Sequence, residues 1–560
     1  MSVPRRPLTS WSALAACAMA LPFAGAAQTP EQRLFEWATP PFGQEVYEAR
    51  RDRLVDVLGA RPGVVVALSG HGLSHGDTFR QQDDFSYLVG LELPTSVLVL
   101  GGPAGSGVLF APARDPRFES ASRPNDFPGR PIADDPAVVA WMGGARVRPL
   151  AAAGPFLDSV AVSGTPVYLA SGDDRALPPA SVPLHASEAE VTGSVRHVLR
   201  RLQGSDVRRG FPLMAAVRAV KGTEEIGTME RAARITSRAI VKASREIAPG
   251  VTERQLEGAF LDACRSDGSQ RPPFFPIIKS GPNSLWPWRV LASHYDRRNR
   301  AMEAGDLVIL DVGCELDGYV SDVGRTFPVS GEFTDRQREV LSMEVAVSDR
   351  IIEAVRPGVT LADLQEVARQ AIPDQAQPYM QVGLFFGHHL GLSTGDPVDT
   401  SAPLAPGMIF TVEPWYYNHD EGISVFTEDE VLVTEGGARN LTAMLPRRPA
   451  DLERLMSAGI VSGLTVDPDQ PPPPSDLDAL VDQYVAAWNE PSRAGRMEML
   501  EEVWAEAGRY LDPSAHTRGR EALADHIGGF QRGMSGPSIQ RSGPVIGTGA
   551  HITFPWEITG

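Results

Sequence analysis

Residues 305–327 read GDLVILDVGCELDGYVSDVGRTF and contain the strongest local folding signal in the chain. Asp317 and Gly318 form a dipeptide that is typical of a two-residue β-hairpin turn. With this pair in the turn, Asp311 and Asp322 lie on one face of the hairpin as diagonal neighbours. Two carboxylates on a mainly apolar hairpin need an opposing charge if both are to stay ionised. The hairpin therefore predicts a cation site.

Two glutamates lie inside apolar runs further along the chain. Glu413 is part of MIFTVEPWY, and Glu428 is part of ISVFTEDEVLV. Glutamates are rarely buried unless they are paired, so both runs suggest strands that present a ligand. His388 lies between the two hairpins in the stretch GHHLGL. Two Asp, two Glu and one His make a mostly oxygen site that suits two divalent ions such as Mn²⁺. Such a pair of ions is a known hydrolytic device.

Each of these residues has a simpler interpretation when it is taken alone. The two aspartates could cap turns or pair with Arg325, and His388 could be a satisfied core histidine. His389 is the alternative to His388 if the register shifts by one residue. The combination of the five residues favours a metal site over these alternatives.

The five residues also occur in an order that resembles the pita-bread metallopeptidases. The stretches DVGCELDGYVSDVGRTFPV, TVEPWYY, FTEDEVLVTEGGARNLT and VKGTEEI are similar to the aminopeptidase P and prolidase branch of that family. The resemblance covers residues 40 to 456. It implies an α+β fold in which a pita-bread catalytic domain follows a mixed α/β N-terminal domain.

The resemblance implies a role for each ligand. Asp311 would bind one metal ion, whereas Asp322 and Glu428 would bridge both ions. His388 and Glu413 would bind the second ion, and Glu413 would also be the general base. The ions would be Mn²⁺, with Co²⁺ or Zn²⁺ as alternatives.

The residues expected around the substrate depart from the family pattern. His294 matches a family histidine on the substrate side. However, Leu384, Gly395 and Phe426 stand where the family usually has two histidines and an arginine. Losing one donor to a developing oxyanion costs on the order of 10²–10³ in rate. The metal site is therefore complete in the sequence, whereas the substrate shell is altered.

The termini suggest export and an additional C-terminal unit. Arg5 and Arg6, an apolar run and Ala24-Gly25-Ala26 are typical of a cleaved signal peptide. An alternative is a lipid anchor at Cys17. The predicted organisation is a signal peptide at 1–27, an N-terminal domain at 40–205, a metallopeptidase domain at 214–456, a Pro-rich linker at 463–476 and a C-terminal segment at 477–560. This segment resembles a nuclear transport factor 2-like cone that is short of its last strands.

Cysteine content and charge set further expectations. After removal of the signal peptide only Cys264 and Cys314 remain, and we expect both to be reduced. The net charge of −18 argues against binding to nucleic acid. No stretch is long and apolar enough to span a membrane, and we expect a homo-oligomer.

The function predicted from these features is a metal-dependent exopeptidase for short proline-containing peptides. It would release the N-terminal residue from peptides with proline in second position, as an Xaa-Pro aminopeptidase. An Xaa-Pro dipeptidase (prolidase) is the first alternative. A metal-binding pseudoenzyme that binds peptides is the second.

Overall fold

A computed structural model describes the fold from residue 39 onward, with gaps. The described ranges are 39–59, 63–69, 80–93, 95–105, 107–113, 133, 135–170, 193–285, 299–380, 387–457, 477–506, 508–511, 516–533, 537–541, 546–548, 551–553 and 556–559. The predicted signal peptide, Cys17, the Pro-rich linker, His294 and Leu384 lie outside them. Within these ranges, no helix has the length and apolar character needed to cross a membrane.

The N-terminal domain is built on one mixed six-stranded sheet with helices on both faces. The strands are β1 Val64–Leu68, β2 Val97–Leu100, β3 Val108–Ala111, β4 Arg146–Pro149, β5 Val167–Ala170 and β6 Val207–Arg209. The helices are α1 Gln44–Leu58, α2 Asp83–Val89, α3 Pro136–Trp141, α4 Ala153–Val162, α5 Gly193–Arg201 and α6 Phe211–Arg218. The strand order is β4-β3-β2-β1-β5-β6.

Strand β1 lies at the centre of this sheet and is buried on both faces. Val64, Val66 and Leu68 belong to one apolar cluster, whereas Val65 and Ala67 belong to another on the opposite face. A continuous apolar run, rather than an alternating one, is the pattern of a strand that is covered on both sides.

The catalytic domain packs helices against two small sheets and two ribbons. Its helices are α7 Thr223–Ser244, α8 Glu253–Ser266, α9 Asp335–Ala354, α10 Leu361–Ala371, α11 Gln377–Met380 and α12 Pro449–Ser457. Its strands are β7 Ile277–Ser280, β8 Leu307–Val312, β9 Glu315–Leu316, β10 Tyr319–Val320, β11 Val323–Pro328, β12 Ile409–Val412, β13 Trp415–Asn418, β14 Ile423–Phe426, β15 Asp429–Thr434 and β16 Gly437–Asn440. The three-stranded sheets have the orders β11-β8-β7 and β12-β15-β16, and the ribbons pair β10 with β9 and β13 with β14.

Buried polar contacts join the N-terminal domain to the catalytic domain. Arg50 on α1 lies 3.2 Å from Glu225 on α7, and the Tyr319 hydroxyl donates a hydrogen bond of 2.8 Å to the same carboxylate. Arg218 at the end of α6 pairs with Asp84 on α2 at 2.6 Å and also with Asp396 of the catalytic domain. Breaking a buried pair leaves an uncompensated charge, so these contacts hold the two domains in one arrangement.

The cysteine prediction was wrong. Cys264 on α8 and Cys314, directly after β8, form a disulfide with a Cα–Cα distance of 5.9 Å. The two residues are 50 positions apart, so only the packing of α8 beside the hairpin brings them together. The disulfide links this helix to the strand that carries Asp311.

The C-terminal segment has its own small core. Its helices are α13 Leu477–Asn489, α14 Arg493–Val503 and α15 Arg520–Gly533. Its strands are β17 Arg509–Leu511, β18 His516–Arg518, β19 Ser538–Arg541, β20 Ile546–Thr548, β21 His551–Thr553 and β22 Trp556–Thr559. The apolar cluster of this segment draws all its residues from the segment itself, from Val481 to Ile539.

Candidate metal centre

The central hairpin has the predicted turn and register. Asp317 and Gly318 have φ values of 54° and 82°, the left-handed conformation that a tight hairpin turn requires at both positions. Leu316 pairs with Tyr319, and further along the hairpin Asp311 pairs with Gly324. Asp322 lies two residues before Gly324, so both aspartates lie on the same face, as the sequence predicted.

Gly324 allows the strand region of Glu428 to approach this hairpin closely. The two residues exchange backbone hydrogen bonds of 3.3 and 3.0 Å. A Cβ atom at position 324 would lie 2.3 Å from the Phe426 ring and 2.9 Å from the Glu428 Cβ. A larger residue here would push Glu428 away from the aspartates.

Thr411 connects His388 to Glu413. Its hydroxyl accepts a hydrogen bond of 3.1 Å from the backbone N–H of His388 and donates one of 3.0 Å to Glu413 Oε1. His388 Nε2 lies 3.5 Å from Asp322 Oδ2 and 3.6 Å from Glu413 Oε1. One imidazole nitrogen therefore faces two carboxylates from separate strand pairs.

The structure brings three of the predicted ligands into one compact group. Ligand atoms from Asp322, His388 and Glu428 all lie within 4.8 Å of one another. Glu413 adjoins this group through His388, and Asp311 lies on the same hairpin face as Asp322. Carboxylates with a single imidazole are a donor set for divalent ions that prefer oxygen. The residues present therefore fit a divalent metal centre, although their assignment as ligands stays a prediction.

Arg325 stabilises the backbone around the site and does not pair with Asp311 or Asp322. Its guanidinium donates to the carbonyl oxygens of Gly324, Glu428, Leu445 and Pro446 and to the Asp429 carboxylate, at 2.6–3.1 Å. These five hydrogen bonds use every N–H of the arginine side chain. Arg325 thus fixes the backbone on both sides of the Gly324–Glu428 bridge.

Two buried glutamates near the site were missed by the sequence reasoning. Glu430 accepts hydrogen bonds from the Ser321 hydroxyl and from the Asp322 backbone N–H, the latter at 3.2 Å. Burial raises the pKa of Glu430 to about 8. Glu344 on α9 accepts from the Tyr416 N–H and the Thr427 hydroxyl, and burial raises its pKa well above the usual range. Side chains alternate along the strand FTEDEVLV, so residues 428 and 430 share one face. This pattern could have indicated Glu430 as a second buried glutamate.

The two adjacent histidines have different surroundings. The His388 side chain is 30% exposed and faces the carboxylates. His389 is 3% exposed, and its ring packs against Phe410 with centroids 5.8 Å apart. Burial and the nearby Lys221 lower the pKa of His389 to about 4, so this ring is neutral. The geometry favours His388 over His389 as the metal-site histidine.

Phe426, which replaces an expected arginine, belongs to a small buried apolar cluster. It is fully buried and packs on Trp415 with ring centroids 4.6 Å apart, together with Ile309. Gly395 has no side chain where the family pattern has a histidine. Neither position therefore supplies the polar side chain that the family pattern implies.

Comparisons with known proteins agree with this fold and site. Residues 227–435 match the model of metallopeptidase family M24, and residues 47–121 match the N-terminal domain of aminopeptidase P. The chain is 29% identical to the Xaa-Pro aminopeptidase of Escherichia coli (strain K12), over 74% of this chain and 98% of that protein. It is 34% identical to the Xaa-Pro dipeptidase of Pyrococcus furiosus, over 40% of this chain and 64% of that protein.

Solved structures of aminopeptidase P share the fold of this chain. Aminopeptidase P from E. coli with the inhibitor Pro-Leu superposes with a TM-score of 0.60 at 26% identity, covering 74% of this chain and 98% of that one. A putative aminopeptidase P from Bacillus anthracis, at 23% identity and a TM-score of 0.62, shares the fold over 74% of this chain and 98% of its own.

The catalytic region is therefore a pita-bread domain of metallopeptidase family M24. The aminopeptidase P N-terminal domain ahead of it, together with these relatives, shows that the chain is an enzyme, a metallo-aminopeptidase.

Proposed function

We propose that this metallo-aminopeptidase releases the N-terminal residue from peptides with proline in second position, and that it uses two divalent metal ions, with Mn²⁺ favoured. The observation that carries the proposal is the group of Asp322, His388 and Glu428 ligand atoms within 4.8 Å, with Glu413 beside it. The aminopeptidase P N-terminal domain supports an aminopeptidase over a dipeptidase.

Each side chain has a defined task in this proposal. Asp311, Asp322, His388, Glu413 and Glu428 hold the ions, which when bound would activate water and polarise the scissile carbonyl. Glu413 also accepts the proton of the attacking water, and the Thr411 hydroxyl orients its Oε1. His294 lies outside the described residues, and its place on the substrate side is part of the same proposal.

Cleavage before proline makes a specific demand on the site. The scissile bond is a tertiary amide without an N–H, so its nitrogen offers no hydrogen to a positioning acceptor. Apolar surface is the complementary environment for a pyrrolidine ring. Trp415 and Phe426 form a buried apolar cluster with Ile309 near the carboxylates, and both side chains are almost fully covered, so they are not the surface that contacts this ring.

The proposal is tested with purified protein loaded with Mn²⁺ and two substrate sets. Xaa-Pro-Yaa tripeptides should be cleaved, and Xaa-Pro dipeptides should be cleaved poorly. Glu413→Gln should lower the rate on the order of 10³-fold or more, since it removes the proton acceptor and one ligand charge. Glu421→Gln is the matched control, because Glu421 is an exposed residue that pairs with Arg336 at 2.8 Å.

Three results would contradict the proposal. Cleavage of dipeptides alone would identify a prolidase, which the similarity to the P. furiosus dipeptidase makes the second candidate. No cleavage of either set would identify a peptide-binding pseudoenzyme. Full activity of Glu413→Gln would show that the proton acceptor lies elsewhere.

We also propose that the protein is exported, either periplasmic or secreted, and acts as a homo-oligomer without a lipid anchor at Cys17. The Cys264–Cys314 disulfide supports export, since disulfides persist mainly in oxidising compartments. N-terminal sequencing should find a mature chain that begins near residue 27, and a chain that begins at Met1 would refute export. The helices and strands of residues 477–560 support the proposed similarity to a nuclear transport factor 2-like cone.

A further inference from the structure

One strand register runs through two neighbouring pairings of the catalytic domain and is interrupted where two predicted ligands lie. The pairing of β12 with β15 and the pairing of β13 with β14 share this register, and two residues on each strand separate them. Continued through the interruption, the register sets Glu413 opposite Glu428 and Pro414 opposite Thr427. Proline has no backbone N–H and cannot donate to a strand ladder. The two glutamates therefore lie opposite each other at a break in the ladder.

The backbone of Glu428 is engaged outside this pair of strands. Its N–H donates to the Gly324 carbonyl oxygen at 3.0 Å, and its carbonyl oxygen accepts from the Gly324 N–H at 3.3 Å. These bonds fix Glu428 against the central hairpin, but they do not connect it to the strand segment of Glu413. The local distance between the two glutamates is therefore set by the contacts that span the break.

The side chain of Glu344 spans the break. Glu344 lies on α9 and is fully buried. One carboxyl oxygen accepts a hydrogen bond of 3.2 Å from the Tyr416 backbone N–H, and the other accepts one of 3.0 Å from the Thr427 hydroxyl. Tyr416 follows Glu413 by three residues, and Thr427 directly precedes Glu428. A single carboxyl group thus holds the segments that carry both glutamates.

A carboxyl group is an unusual side chain for this position of α9. Leu341, Val345 and Val347 on the same helix belong to the large apolar core, and acidic residues are almost never fully buried unless they are paired. Burial raises the pKa of Glu344 well above its usual range, because removal from water disfavours the charged form. An apolar side chain would avoid this loss but would leave the Tyr416 N–H without its acceptor. The two hydrogen bonds are what the acid contributes here.

We propose that Glu344 is a positioning residue, which holds Glu413 and Glu428 at the separation that the metal centre requires. It acts through Tyr416 and Thr427 and is not itself a ligand. This inference rests on the proposed function, because it presumes that the two glutamates bind metal ions. Removing a contact that orients a metal ligand lowers metal affinity about 10–100-fold, so loss of the Glu344 carboxyl should weaken metal binding by an amount in that range.

The test measures the Mn²⁺ affinity of metal-free proteins by calorimetric titration, and the melting temperature of the same metal-free proteins. Glu344→Leu removes both hydrogen bonds while filling a similar volume, and it should lower Mn²⁺ affinity at least about tenfold. Glu344→Gln keeps an acceptor for the Tyr416 N–H and can donate to the Thr427 hydroxyl oxygen, so it should retain wild-type affinity. Leucine and glutamine both fill the space, so the difference between them reports the hydrogen bonds rather than packing.

Two further variants separate positioning from stability. Thr427→Val removes one of the two donors and keeps the branched shape of the side chain. It should lower Mn²⁺ affinity, and it should add no further loss in a Glu344→Leu background, because both changes break the same contact. Leu341→Ala is the matched control, since Leu341 is fully buried one turn earlier on α9. Its truncation should lower the melting temperature and leave Mn²⁺ affinity unchanged.

The outcomes separate this inference from the proposed function. Unchanged Mn²⁺ affinity in a folded Glu344→Leu protein would overturn the inference and leave the proposed metal centre intact. A loss of affinity in Leu341→Ala or in Glu344→Gln as large as that in Glu344→Leu would also overturn it, because the hydrogen bonds would then not be the cause. No Mn²⁺ binding by the wild-type protein would instead refute the proposed metal centre. If Glu344→Leu does not fold, Thr427→Val decides, and unchanged affinity in that variant would overturn the inference.

Discussion

At the scale of single residues, the neighbouring histidines show how one position changes the role of a side chain. His388 Nε2 faces Asp322 and Glu413, whereas the His389 ring packs on Phe410. We predict that His388→Ala lowers Mn²⁺ affinity by at least about 100-fold, because removing a ligand costs at least as much as removing its supporting contacts. Calorimetric titration of the metal-free proteins measures this.

His389→Ala is the matched control for this change. It should retain wild-type Mn²⁺ affinity while losing stability, because it removes a buried ring and leaves a cavity. A larger loss of metal affinity in His389→Ala than in His388→Ala would show that the histidine assignment is shifted by one residue.

At the scale of secondary-structure elements, the disulfide joins α8 to the end of β8. It closes a loop of 50 residues, and restricting the unfolded chain in this way stabilises the fold by about 4 kcal/mol. We predict that replacing both Cys264 and Cys314 by Ser lowers the free energy of unfolding by roughly this amount. Urea denaturation of the oxidised wild-type and variant proteins measures the difference.

Reductant provides the control for this prediction. It should destabilise the wild-type protein and leave the double variant unchanged. Titration of two free thiols in the native exported protein, after denaturation without reductant, would show that the disulfide does not form.

At the scale of the whole molecule, the domains differ in how they are attached. The N-terminal domain shares an apolar cluster and buried ion pairs with the catalytic domain. The core of the C-terminal segment contains residues of that segment alone. We predict that a chain ending at Ser457 keeps wild-type Mn²⁺ binding and tripeptide cleavage, because it loses no residue of the metal centre or of the catalytic core.

The measurement is metal content and kcat/KM of the truncated chain beside the full-length chain. Removal of the N-terminal domain should have the opposite effect, because that cut exposes Glu225 and Tyr319 and should leave an aggregating protein. Loss of peptidase activity on removal of residues 458–560 would show that the C-terminal segment contributes to the active site.

The sequence by itself determined the features that depend on local geometry. The Asp317–Gly318 turn set the hairpin register, and with it the shared face of Asp311 and Asp322, because a two-residue turn leaves one pairing for the strands. The order and spacing of the five predicted ligand residues indicated the pita-bread fold. The turn signal acts within a few residues, the order of the five residues is a pattern along the chain, and neither needs knowledge of distant contacts.

Only the tertiary structure decided the features that depend on contacts between distant segments. The pairing of Cys264 with Cys314 follows from the packing of α8 beside the hairpin. Glu430 approaches Asp322 because separate strands meet across Gly324. Spacing along the chain carries no information about such meetings, since the free energy that sets them comes from burying apolar surface over the whole domain.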